Sequence, residues 1–211
     1  MDDEDHDPYP VLASVPIAAP GPRVRRWFAP VVADVPAPRP GSCLVAQSGG
    51  GYRKIEYGLR RGDPGLRDAI ALHVVSIAPR MVSAATSLPS CEPGLEVRIG
   101  ARFRCRVDDP VQLLAEGVTD LEPLLIHYLL AYPQIRMTSL VMPLRRPAEW
   151  SAFKRRMIAM FTAYAELQPL MISGMDAALV DVEVGAATTD AVPAAPAPAG
   201  GESENYWWPE P

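Results

Sequence analysis

Lysine is almost missing from this chain. Lys54 and Lys154 are the only two, so nearly all of the 20 basic residues are arginine. Such a bias also follows from genome composition, so the arginines are read by position rather than by number. Cysteine is scarce too: Cys43, Cys91 and Cys105, an odd count with no CxxC. That argues against a disulfide framework and for free thiols in a reducing compartment. Histidine stops at His6, His73 and His127, with no pair at zinc-ligand spacing. No run approaches the roughly 18 apolar residues of a membrane span. The opening MDDEDHDPYP is too acidic for a secretion signal. The expectation is a cytoplasmic protein, soluble or peripheral at the inner face of the membrane. The triple glycine at 49–51 is not followed by GK[ST], so it reads as a hairpin turn and not as a phosphate loop. No metal or cofactor is expected.

What is abundant is proline, 24 residues in 211, much of it beside alanine near the two ends. The hydrophobic content of 48% and charge of 21% fit one globular domain with a real core. The net charge of −5 hides a division. Nine acids lie in residues 1–7 and 185–211, where there is no Lys or Arg. Removing them leaves 16 acids against 20 basic residues, a body of +4 between two acidic ends. Such a body suits an anionic surface without requiring one.

The most ordered pattern is LEVRIGARFRCRV, residues 95–107. Every odd position is apolar or small, and the even ones carry Arg98, Arg102, Arg104 and Arg106. That alternation predicts a strand with an oily face and a cationic face. Asp109 then caps a short helix with Pro110 at its first position, and Gly117 closes it. A second helix starts near Asp120. Residues 137–144, MTSLVMPL, read as a third edge strand or an extended connector. The longest helix begins at Pro147, with Trp150, Phe153, Met157, Met160, Phe161, Tyr164 and Leu167 on its apolar stripe. A final strand follows Gly174, with Ala178, Val180, Val182 and Val184 inward and Asp181 and Glu183 outward. Short strands are expected at 42–48 and around 52–57, and a buried one at 69–79. Residues 1–22 should carry little fixed structure.

The order of these features resembles the SPFH family of stomatins, prohibitins and flotillins, also called band-7. Phe103, Arg104, Val107, Asp109 and Pro110 carry an F-R-x-x-V-x-D-P pattern. Gly174, Met175 and the strand through Val184 carry the second, and VVSIAPRMVSAATSLPS is similar to the family's lead-in to the long strand. The resemblance covers roughly residues 41–185. It implies an α+β fold, a curved antiparallel sheet packed by two to three helices, with disordered tails on both sides. It implies oligomeric scaffolds at membranes and no catalytic residues. Neither the family's N-terminal membrane hairpin nor its following coiled coil is expected in this sequence, where an Ala/Pro linker follows the domain.

The chain therefore divides into an acidic segment (1–22), a basic-aromatic and proline-rich lead-in (23–40), the domain (41–185), an Ala/Pro linker (186–204) and an aromatic peptide, NYWWPEP (205–211). The expected function is a non-enzymatic scaffold or adaptor that self-associates or binds a protein partner. A small enzyme or regulator on an α+β scaffold, or an anion- or nucleic-acid-binding module, is the alternative. The candidate contact residues are Arg98, Arg102, Arg104 and Arg106, the cluster Arg25, Arg26 and Trp27, and the terminal Tyr206, Trp207 and Trp208. The interfacial cluster suits an anionic membrane surface. Aromatics are not interleaved with the strand arginines, which argues against nucleic acid. Asp181 and Glu183 are expected to oppose two of those arginines across strands.

Overall fold

Alternation in residues 95–107 produces the longest central strand of the protein. In the computed structural model, residues 8–17, 39–55, 66 and 68–188 are described. Strand β6 spans Leu95–Val107. Val97, Ile99, Phe103 and Cys105 are fully buried, and Ala101 and Val107 nearly so, while Arg98, Arg102, Arg104 and Arg106 face water. Two long antiparallel ladders hold it. One runs to β5 (Arg80–Pro89), from Arg80↔Cys105 to Pro89↔Glu96. The other runs to β8 (Met175–Thr188), from Val107↔Met175 to Leu95↔Thr188. With the two-residue β7 (Met171–Ile172), this sheet has the order β5-β6-β8-β7.

A second antiparallel sheet has the order β1-β4-β2-β3, from β1 (Val11–Pro16), β2 (Ser42–Ser48), β3 (Gly51–Ile55) and β4 (Ala69–Ser76). The fold is α+β, as expected, and one sheet is strongly curled into a half-barrel. Val45 and Val75 of the second sheet share one buried cluster with Val97 and Phe103 of the first. β1 corrects one expectation. Residues 11–16 lie inside the segment expected to lack structure, yet they pair with β4, and Tyr9 and Val11 are buried. Acids at 1–7 set the composition there, but a few apolar residues suffice once an edge strand offers backbone partners.

Four helices pack on this framework, one more than expected. In α1 (Pro110–Ala115) the Asp109 carboxylate accepts from the Val111 and Gln112 amides, and Pro110 takes the first turn, as anticipated. α2 spans Glu122–Leu130, with Asp120 accepting from the Glu122 amide. α3 spans Pro133–Val141, where an edge strand or connector was expected. Pro133 occupies the first turn of α3, where its missing N–H costs nothing. Burial of Ile135 and Ser139 anchors that helix. α4 (Pro147–Leu167) buries Phe153, Met157, Phe161 and Tyr164 of the expected stripe, with Trp150 and Met160 partly buried; Leu167, expected on the stripe, is exposed because it is the last residue of the helix. Aromatic contacts then tie the layers together. Phe103 meets Tyr128 edge-on at 6.1 Å, Tyr128 lies 5.2 Å from Tyr164, and Tyr164 stacks on Tyr132 at 4.8 Å.

β8 departs from strict alternation. Arg102 pairs with Asp181, but Phe103 pairs with Leu179, leaving Val180 as the extra residue of a bulge. The inward set is therefore Met175 and Ala177 before the bulge and Val182 and Val184 after it. Ala178 and Val180 do not point inward as expected; Val180 is 57% exposed. One inserted residue reverses the phase of a period-two pattern.

The turn between β7 and β8 presses on α1. Gly174 has φ +76, and its carbonyl accepts from the Asp108 and Asp109 amides at 2.9 and 3.0 Å. A Cβ there would strike the Asp109 carbonyl oxygen and come 2.8 Å from the Leu113 nitrogen. Gly117 has a similar φ of +77 but open space around it. Gly117→Ala should thus lose only the left-handed strain, about 1–2 kcal/mol. Gly174→Ala should lose at least about 2 kcal/mol more, because backbone must also move. Urea unfolding of both variants measures the difference; equal losses would contradict the close approach.

Candidate interaction surfaces

The four arginines of β6 do not form one cluster. Alternation in a strand sets side chains on the same face about 7 Å apart, and their neighbours differ. Arg102 donates to Asp181 at 2.5 Å, and that hydrogen bond holds the Asp181 carboxyl below its usual range. Arg106 donates through Nε to Asp108 at 2.8 Å. Arg98 sits between Ser87 and Gly185, and Arg104 between Met81 and Ala178. Neither has an ion-pair partner among the described residues. Glu183 lies opposite Gly100. One cross-strand pair from β8 thus forms, through Asp181, where two were expected.

The geometry bounds what this face can do. The Arg102–Asp181 side chains are about half exposed, 56% and 42%, so water screens the pair and its contribution to stability is small. Arg98 and Arg104 are six residues apart on one strand, on the order of 20 Å. No single phosphate or carboxylate reaches both. They can meet an extended anionic surface, but they do not build a pocket for one small anion. Arg25, Arg26, Trp27, Tyr206, Trp207 and Trp208 lie outside the described residues.

The reactive side chains fall mostly in the interior. Cys105 is fully buried on the inner face of β6, as its phase predicted, and burial pushes its thiol up to about 11. Cys43 is buried too, as the second residue of β2, where it pairs with Val75; burial raises its thiol as well. Cys91 is exposed, and its Sγ lies 3.0 Å from the Met142 carbonyl oxygen, which accepts from the thiol. Burial pushes the Tyr9 phenol up to about 12. None of these shifts favours a thiolate or a base at neutral pH. No group of three or more His, Cys, Asp or Glu among the described residues could hold a metal ion. No helix among them is long and apolar enough to cross a membrane.

The surface that sequence reasoning missed lies on α3. Met137, Leu140 and Val141 are 58%, 39% and 70% exposed, and they recur at i, i+3 and i+4. Leu130, at the end of α2, is also exposed. Reading 137–144 as a strand placed Met137 and Val141 on one face but Leu140 on the other, so the apolar stripe was invisible. The signal was present as helical spacing from Pro133 onward.

No family model matches the sequence, and no curated protein matches it.

His73 supplies a pH test of the interior. It lies 7% exposed in β4, with Nε2 3.4 Å from the Gln47 side-chain oxygen and Nδ1 buried without a hydrogen-bond partner in the described structure. Burial lowers its pKa below the ordinary 6.5. Above pH 6.5 the ring is neutral in folded and unfolded chains alike. As pH falls through 6.5 the unfolded chain takes up the proton first, so stability drops until the lowered folded pKa is passed. His73→Gln should flatten the fall in melting temperature between pH 7 and pH 5. An unchanged slope would assign that fall to other groups.

Proposed function

We propose that the protein is a non-enzymatic scaffold or adaptor of the SPFH kind, which self-associates through the exposed face of α3. The observation carrying this reading is the run of Met137, Leu140 and Val141 facing water on one side of a helix. A helix that packs only on its own core keeps its outer positions polar. Three adjacent large apolar side chains at the surface mark a contact with another protein. The arrangement of elements supports the same reading. A long two-faced strand leads through Asp109-Pro110 into helices, and the chain returns through Gly174-Met175 into β8. That is the order on which the SPFH resemblance rests. Three free cysteines, two of them buried, support a reducing, cytoplasmic setting.

A second reading concerns where the scaffold sits. Arg98 and Arg104 add unpaired positive charge to an open sheet face, and this supports a peripheral contact with an anionic membrane surface. Such a contact would weaken steeply with salt.

Light scattering on the full chain tests the first reading. The expected result is a mass above 22.9 kDa that grows with concentration and returns to the monomer in Met137→Lys/Val141→Lys. Both positions are solvent-facing, so the substitutions should leave the fold intact. A mass of 22.9 kDa for the unaltered chain at every concentration contradicts self-association through this face.

A further inference from the structure

A groove of about 300 Å³ runs between α4 and the outer edge of β8. Ile158, Thr162, Ala165 and Glu166, at i, i+4, i+7 and i+8 of α4, form one wall; Pro169 and Leu170 are part of its lining. The other wall is six consecutive residues of β8, 177–182. A strand presents both side-chain phases to one groove only along its edge, since its faces show alternate residues. β7 covers that edge at Met175 and Asp176 alone. Beyond it, β8 has β6 on one side and no strand on the other among the described residues. The bulge turns Val180 outward at the same place.

An open strand edge beside a helix wall of mixed polarity is an arrangement that accepts an added strand. Left bare, such an edge invites pairing with any other chain. We propose that it is occupied by this chain's own C-terminal segment, residues 205–208, Asn-Tyr-Trp-Trp, pairing along β8 with the rings of Tyr206 and Trp208, which share one face of a strand, seated in the groove.

Four features of the chain select this occupant. The first is reach. β8 ends at Thr188, and residues 189–204 span on the order of 50 Å at about 3.1 Å per residue for proline-rich sequence. The far end of the groove, Ala177, lies at most about 36 Å back along the strand. The second is hydrophobicity. Tyr206, Trp207 and Trp208 each carry a large apolar area whose removal from water is favourable, and the groove walls include Ile158, Leu170, Leu179 and Val180. The third is polar matching. Indole N–H groups only donate, and Glu166 and Asp181 place carboxylate acceptors in the lining. The fourth is a stop: Pro209 has no N–H and ends strand pairing after Trp208. Because the segment is tethered, its effective concentration at its own groove is on the order of millimolar, which favours the same copy over a second one. This inference does not depend on self-association through α3.

Hydrogen exchange measured by mass spectrometry on the full chain tests it. Three proteins are compared: the unaltered chain, Trp207→Ala/Trp208→Ala, and Thr162→Arg, which fills the groove from its helix wall. The outward amides of 177–182 should exchange at least about tenfold more slowly in the unaltered chain than in either variant. Protection of β6 should be equal in all three, which shows that the fold is intact. Protection of 177–182 should be the same at about 1 and 100 µM protein, as an intramolecular contact requires. Equal exchange of 177–182 in the unaltered chain and the tryptophan variant overturns the proposal. So does protection that grows with concentration, which would place the tail in another copy's groove.

Discussion

The antiparallel pairing of β6 with β8 is the constraint from which the rest of the structure follows. It joins residues about 80 apart in sequence, Arg102 to Asp181, and runs through thirteen partnered positions. All four helices lie between the two strands in the chain, so closing the ladder folds them onto one side of it. The inner face of β6 supplies the floor on which they pack, with Phe103 reaching Tyr128 and, through it, Tyr164 of α4. The Gly174 turn locks the junction, since its carbonyl takes both amides at the start of α1. A ladder of this sequence separation carries a loop-closure cost, and the buried apolar side chains beneath it offset that cost.

The two faces of this framework separate structure from recognition. The core beneath β6 is largely apolar, and burial pushes two titratable groups in it, Tyr9 and Cys105, toward their neutral forms. Above it, half of the arginine stripe is absorbed locally by Asp181 and Asp108. Among the described residues, three features stay on the surface: two arginines without an ion-pair partner on the sheet, an apolar helix face on α3, and the outer edge of β8.

Local chemistry explains which parts of the fold were legible beforehand. β6 was, because a strand buried on one face alone must alternate and cannot slip by one residue. The start of α1 was, because Asp109-Pro110 satisfies orphan amides and avoids one at the same time. α4 was, because its stripe repeats at helical spacing from Trp150 to Tyr164, about four turns. Two misses share one cause, decisions made by distant neighbours. β1 forms because β4 offers it an edge. The bulge at Val180 arises in the pairing of two strands and leaves no mark on either alone. α3 was misread for a local reason: Pro133 can end one helix or begin the next, and the helical spacing that follows it was read as a strand. Of the candidate contact residues, the strand arginines were found correctly as exposed. Which of them keep a free charge depended on cross-strand register.

The central claim is that the oily face of β6 seats the helices while its arginine face leaves stability untouched. Urea unfolding of Phe103→Ala beside Arg104→Ala, neighbours on one strand with opposite orientation, tests it most directly. The account predicts a loss of about 3–5 kcal/mol for the first and a change within about 0.5 kcal/mol for the second. Comparable losses for the two, or a loss under about 1 kcal/mol for Phe103→Ala, would contradict it.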